Sequence, residues 1–202
     1  MKRLTKTEKE DTFNRNRKKL LKLRKDHRIS IGIDLGTFNT GYSVREDNFS
    51  INDKSKQIIE RIHKITIEAK QYIRLNNSNA IALIEDYAFA GKTVIQEAEL
   101  GGNIKRLLWR HKIPYMVIAP TTLKKFVLGQ GKGVGSSKKE LMLLECYKKW
   151  GKSFEDNNIC DAFCLKMFLD TLFIYLKGEN KFAKWEQDMF RDFVINRGNP
   201  VM

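Results

Sequence analysis

The amino-acid sequence predicts an α/β fold, a mixed sheet with helices on both faces and a basic helical extension at its N-terminal end. Ile29, Ile31 and Ile33 alternate with small residues and lead into Asp34 and a tight glycine turn, which is the pattern of a central strand that returns as a hairpin. Two further apolar runs, 80–84 and 113–119, alternate with stretches of helical period, as parallel strands joined by helices do. The first 28 residues carry 12 Lys or Arg against 4 Asp or Glu. Leu4, Phe13, Leu20, Leu21 and Leu23 form only a broken apolar stripe there, so a helix over this stretch is basic and partly held by packing.

In chain order, 29–34 is the first strand, Gly36 lets the backbone reverse, and 42–44 begin the antiparallel return. Ile51 closes a third short strand. Residues 54–75 read as an amphipathic helix with Ile58, Ile62, Ile65 and Tyr72 inward, and 76–79 as the turn that follows. The strand 80–84 ends in Glu85 and Asp86. The stretch 92–111 is helical at both ends, with Gly101 and Gly102 kinking or splitting it. Pro120 stops the strand 113–119, a short helix fits 121–127, and a glycine-rich loop over 128–137 precedes a helix at 138–150. After Gly151 and a polar turn comes a long helix at about 158–176. The last helix, about 180–194, sets Phe182, Trp185, Met189, Phe190 and Phe193 at spacings of three and four, the mark of a core or dimer contact. The chain thus divides into a basic extension (1–28), a central domain (29–178) and a C-terminal amphipathic helix that packs on the domain or a dimer partner (179–202).

A chain of 202 residues can bury one good core. Its formal net charge of +14 favours a polyanionic partner, and nucleic acid fits better than a membrane, because no stretch offers the roughly 18 uninterrupted apolar residues of a spanning helix. Cys146, Cys160 and Cys164 are odd in number and show no C-x-x-C pairing, which argues against a disulfide scaffold or a structural zinc site and for a reducing, cytoplasmic setting. The basic N-terminal stretch has no apolar core of a secretory signal. It reads as an arm toward DNA phosphates or as a solvated extension.

Three acids fall where such a sheet would bring its ends together: Asp34 at the end of the first strand, Glu85 at the end of the fourth, and Asp161 in the first turn of the long helix. Carboxylates about 4 Å apart repel by about 4 kcal/mol per pair at an effective dielectric near 20, so the cluster calls for protons or a cation. Oxygen ligands without His or Cys specify Mg²⁺ or Mn²⁺, and two such ions can activate water and stabilise the leaving oxygen of a phosphodiester displacement. Each acid also has a plainer use: Asp34 as a turn partner, Glu85 with Asp86 as a competitor, Asp161 as a charge offsetting the helix dipole. Gly129, Gly131, Gly133 and Gly135 fit no phosphate loop of Walker type and instead allow close backbone approach to DNA, with Lys132 supplying charge. Phe89, four residues past Glu85, could wedge between bases or plug the core.

The segment IGIDLGTFNTGYSV resembles the opening of two large families, the actin-like ATPases and the RNase H superfamily of metal nucleases. The order of strands and helices is that of the RNase H-like fold. ALIEDYAFAG, APTTLKKFVLGQGKGVGSSKKELM and NNICDAFCL then resemble, in order, the second motif, the basic glycine-rich stretch and the final acidic motif of RuvC-type Holliday-junction resolvases, with the phage-encoded branch the closest likeness. That resemblance implies a metal-dependent endonuclease acting on four-way or other branched DNA as a homodimer. It makes Asp34, Glu85 and Asp161 ligands of two Mg²⁺ or Mn²⁺ ions. It sets Lys124 against the scissile strand and Lys138 or Lys139 near the cleaved phosphate. Where the family commonly has an acid or His three residues before the last Asp, this chain has Asn158, whose amide oxygen can be a metal ligand but carries no charge, so the second ion is held more weakly or Asp156 reaches in from the turn.

Two rivals stand beside this expectation. An actin-like nucleotide phosphotransferase shares the IDLGT start with Asn39 and Thr40, but it needs a second phosphate loop, an adenosine motif and about twice this length. A DNA-binding module that keeps the fold and has lost chemistry is motivated by Asn158. Cleavage of an RNA strand is a nearer variant, which charge alone does not separate from DNA cleavage.

Overall fold

The computed structural model describes residues 4–55, 57–75, 79–86, 94–129, 139–179 and 181–202. Five strands, β1 (Ile29–Asp34), β2 (Asn39–Val44), β3 (Asp47–Asn52), β4 (Ala80–Glu85) and β5 (Tyr115–Ile118), form one sheet in the order β3-β2-β1-β4-β5. The first three make an antiparallel meander, and β4 and β5 join parallel to β1, so β1 and β4 lie at the centre. Both are buried on both faces, as their near-continuous apolar sequences require. Val201 forms a bridge with Tyr115 and covers part of the open side of β5.

Helices α2 (Ile58–Leu75) and α3 (Val94–Arg110) cover one face, where Ile31, Ile33, Ala82 and Ile84 meet Ile62, Ile65, Ala69, Ile73, Leu100 and Ile104. The other face carries α6 (Asn157–Lys177), flanked by α1 (Lys6–Asp26), α4 (Pro120–Leu128), α5 (Lys139–Trp150) and α7 (Lys184–Arg197). Ile81, Leu83, Met116 and Ile118 point into that second layer. Among the described residues no helix is long and apolar enough to cross a membrane.

Helix α6 lies directly on the backbone of β1 and β2, and two glycines make that possible. A Cβ at Gly32 would fall on the carbonyl oxygen of Ala162, and one at Gly41 on the carbonyl oxygen of Asn158. The start of α6 is fixed by Asp156, whose Oδ1 accepts the Asn158 N–H at 2.7 Å, and its end by Gly178 in the left-handed region at φ 79.

The structure departs from the sequence reading at several places; the last helix starts at Lys184 and ends at Arg197, so Phe182 precedes it. The inward residue in the last turns of α2 is Ile73, fully buried, while Tyr72 is 39% exposed and covers Phe49 from outside, their rings 4.0 Å apart. Helix α3 runs through Gly101 and Gly102 without a break; Gly101 sits under the Leu35 side chain, so the small residue serves packing rather than a kink. Helix α1 is docked along its length: Phe13, Leu20 and Leu23 enter the core, Asn16 Nδ2 donates to Val194 O at 2.8 Å, and Arg17 Nε donates to Leu176 O at 2.8 Å. Arg24 lies against the Phe173 ring, pairs with Asp170 at 3.0 Å and donates to Ser30 Oγ, which itself donates to Asp170.

Gly32→Ala should therefore lift α6 from β1 and cost about 3 kcal/mol in urea unfolding. Gly102→Ala, where a Cβ meets nothing within 4 Å, should stabilise by roughly 0.5–1 kcal/mol through helix propensity. Equal effects at the two glycines would refute the close-packing account.

Candidate active site

Strand register sets Asp34 and Glu85 side by side. Strands β1 and β4 run parallel with Ile33 opposite Ile84, so Asp34 and Glu85 are the next pair, on neighbouring strands about 4.8 Å apart. Ile33 and Ile84 face α2 and α3, and alternation turns Asp34 and Glu85 to the α6 side. Asp34 also stands opposite Gly41, over which Asn158 lies, while Ala162 lies over Gly32. Asp161, one residue before Ala162, is thereby carried to the carboxyl end of the two central strands. All three acids are half-buried.

Glu85 registers its neighbours electrostatically. Burial first, then the negative charge of Asp161, pushes its carboxyl up to about 8; Lys124 pulls it down and Glu97, in the first turn of α3, pushes it further up. At neutral pH this carboxyl keeps its proton unless a cation is supplied. An all-oxygen set with one acid held in its neutral form fits a hard divalent ion such as Mg²⁺ or Mn²⁺, whose charge would make ionisation of Glu85 favourable. Asp86, the competing acid, is committed elsewhere: it pairs with Arg197 at 3.4 Å, and its N–H donates to Ile118 O at 2.8 Å.

The other positions expected from sequence are distributed as follows. Lys124 is exposed on α4, close enough to Glu85 to act on its ionisation. The Asn158 amide donates to Asn39 O, and Asp156 accepts from the Asn39 amide and from Ser50 Oγ, the latter at 3.2 Å, besides capping α6. Asp156 is thus engaged with Asn39 and Ser50 on the β2–β3 side as well as with the start of α6. Phe89, Lys132 and Lys138 lie outside the described residues, as does the side chain of Lys139.

Sequence reasoning missed three features. Glu97 looked like an ordinary first-turn acid, and only its proximity to Glu85 distinguishes it. Phe38, in the turn after Asp34, is 58% exposed and rests on the guanidinium of the buried Arg61, 3.8 Å from the ring centroid, forming a flat aromatic surface. Cys146, Cys160 and Cys164 converge. They, rather than the acids, form a group of three potential ligand atoms all within 4.8 Å of one another among the described residues. The signal was the spacing of four between Cys160 and Cys164, which places both on one side of a helix.

No family profile matches the chain, and no curated protein sequence is similar to it. Several solved structures share its architecture. T. thermophilus RuvC in complex with Holliday junction substrate aligns with TM-score 0.59 at 15% identity, covering 74% of this chain and 96% of that one. A second Thermus thermophilus RuvC structure aligns with TM-score 0.58, also at 15% identity, with the same coverage. The fold is therefore RuvC-like, within the RNase H-like α/β class.

The Glu85 environment has a measurable consequence. Its ordinary value is near 4.5 and its folded value about 8, so between these the folded chain holds a proton that the unfolded chain has released, and stability falls as pH rises. Without divalent ions, the unfolding free energy of wild type should drop relative to Glu85→Gln by up to about 1.4 kcal/mol per pH unit across that window. Mn²⁺ should raise the melting temperature at pH 8 more than at pH 5. Parallel pH profiles for the two proteins would refute the assignment.

Proposed function

We propose that this chain is a divalent-metal-dependent endonuclease that cleaves branched DNA, four-way junctions foremost. The observation that carries the reading is Glu85, a carboxyl at the end of a central strand whose pKa is raised first by burial and then by the charge of Asp161, so that a cation would favour its ionised form. The RuvC-like fold and the net charge of +14 support it from independent directions.

Asp34, Glu85 and Asp161 would hold two Mg²⁺ or Mn²⁺ ions, which supply activation of water and stabilisation of the leaving oxygen in an in-line displacement. Loading would release the Glu85 proton. Lys124, beside this carboxyl, would neutralise charge developing on the attacked phosphate. Phe38 on its Arg61 support offers a face for an unpaired base, with Lys132, Lys138 or Lys139, and Phe89 assigned to DNA from sequence alone. Two copies about a two-fold axis would nick a junction symmetrically.

Asn158 favours one alternative. Its neutral amide, bonded to Asn39, stands where the resembled family has an ionisable ligand, which would suit a protein that binds junctions without cutting them.

Purified protein with Mg²⁺ or Mn²⁺ should nick a synthetic four-way junction. Asp34→Asn and Asp161→Asn should bind it while cutting at least ~100-fold more slowly. Binding without cleavage by wild type at every pH and metal would select the alternative. Lys124→Ala should cut ~100-fold more slowly and move the acid limb of the pH–rate profile to higher pH, since Lys124 favours the ionised form of Glu85. An unmoved limb would detach Lys124 from the site.

A further inference from the structure

All three cysteines of the chain meet at one point in the helical layer. Cys146 comes from α5, and Cys160 and Cys164 from consecutive turns of α6; 14 residues separate the first two. Their sulfurs lie within 4.8 Å of one another, and all three residues are at most 1% exposed. Single buried cysteines are ordinary small core residues. Here every cysteine of the chain is used at one buried locus, from two different helices.

We propose that Cys146, Cys160 and Cys164 form a structural site for a soft, thiophilic d¹⁰ cation, monovalent copper being the fitting class, that ties α5 to the first turns of α6. Ligand softness selects this class over Mg²⁺ or Mn²⁺. Coordination number selects it over zinc, whose structural sites are almost always four-coordinate, whereas the group here supplies three sulfurs and the surrounding core excludes water. Loading exchanges thiol protons for the ion: coordination by two thiolates and one thiol releases two protons, and by three thiolates three. Cys160 directly precedes Asp161, so the tie would fix the turn that carries this acid. The site is separate from the acidic group and uses none of its ligands.

The test uses full-length protein, reduced and kept anaerobic, with Cu⁺ supplied as its acetonitrile complex. The expected result is one tightly retained ion per chain, a rise in melting temperature on loading, and an X-ray absorption spectrum with three sulfur neighbours at about 2.3 Å. Cys146→Ser and Cys164→Ser should each weaken retention on the order of 100-fold, while Asp34→Asn leaves it unchanged. Circular dichroism of the serine variants separates lost binding from lost folding, and the wild-type spectrum decides without them. Retention without a rise in melting temperature, fewer than three sulfurs, or equal retention by Cys146→Ser would overturn the proposal.

Discussion

The contact on which the rest depends is the bare-backbone seating of α6 against β1 and β2. Ordinary helix-on-sheet packing keeps the axes about 10 Å apart, held off by side chains on both elements. Here Gly32 and Gly41 remove the spacers on the strand side, and the carbonyls of Ala162 and Asn158 occupy the room. Two consequences follow from one approach. The helix becomes the axis of the second core layer, around which the aromatic rings of α4, α5 and α7 close, such as Phe168 against Phe193 at 5.0 Å. Its first turn also comes down to the carboxyl end of the central strands, where Asp161 meets an acid from each.

That meeting is electrostatically unfavourable on its own. Parallel pairing forces Asp34 and Glu85 into adjacent positions, and the helix adds a third acid from above. The molecule answers by leaving Glu85 protonated and by drawing Lys124 near. A fold selected for stability alone would replace such a group with apolar residues, because burying like charges is costly. Retained repulsion of this kind is the feature on which the proposed metal-dependent function rests. The clasp of Asn39, Asp156 and Asn158 beside it works in the opposite sense, with complementary polar groups anchoring the helix start to β2.

Much of this was legible in the sequence. Period-two alternation gave the central strand and its terminal acid, apolar runs gave β4 and β5, and the polar turn after Gly151 gave the start of α6 to within a residue. Features that depend on tertiary approach were less so. Tyr72 and Ile73 are neighbours on the same helix, and only the sheet beneath decides which turns inward. Gly101 reads as a breaker until Leu35 is seen packing over it. The docking of α1 rests on polar groups, Asn16, Arg17 and Arg24, reaching backbone and carboxylate acceptors more than a hundred residues away, which no local pattern encodes. The cysteine convergence joins two helices whose mutual register is set by the core between them.

The latch formed by Arg24, Ser30 and Asp170 bears on how mutational scans of this protein should be interpreted. Asp161 and Asp170 sit nine positions apart on one continuous helix, roughly 13 Å along its axis. Neutralising Asp170 strands a half-buried guanidinium and loosens a later turn of the same rod that presents Asp161. An acid-to-amide survey would thus score both positions as damaging, one through its own oxygens and the other through the alignment of the beam that carries them. Distinguishing them takes a phenotype reporting on helix seating, such as hydrogen exchange along α6, beside any count of turnover.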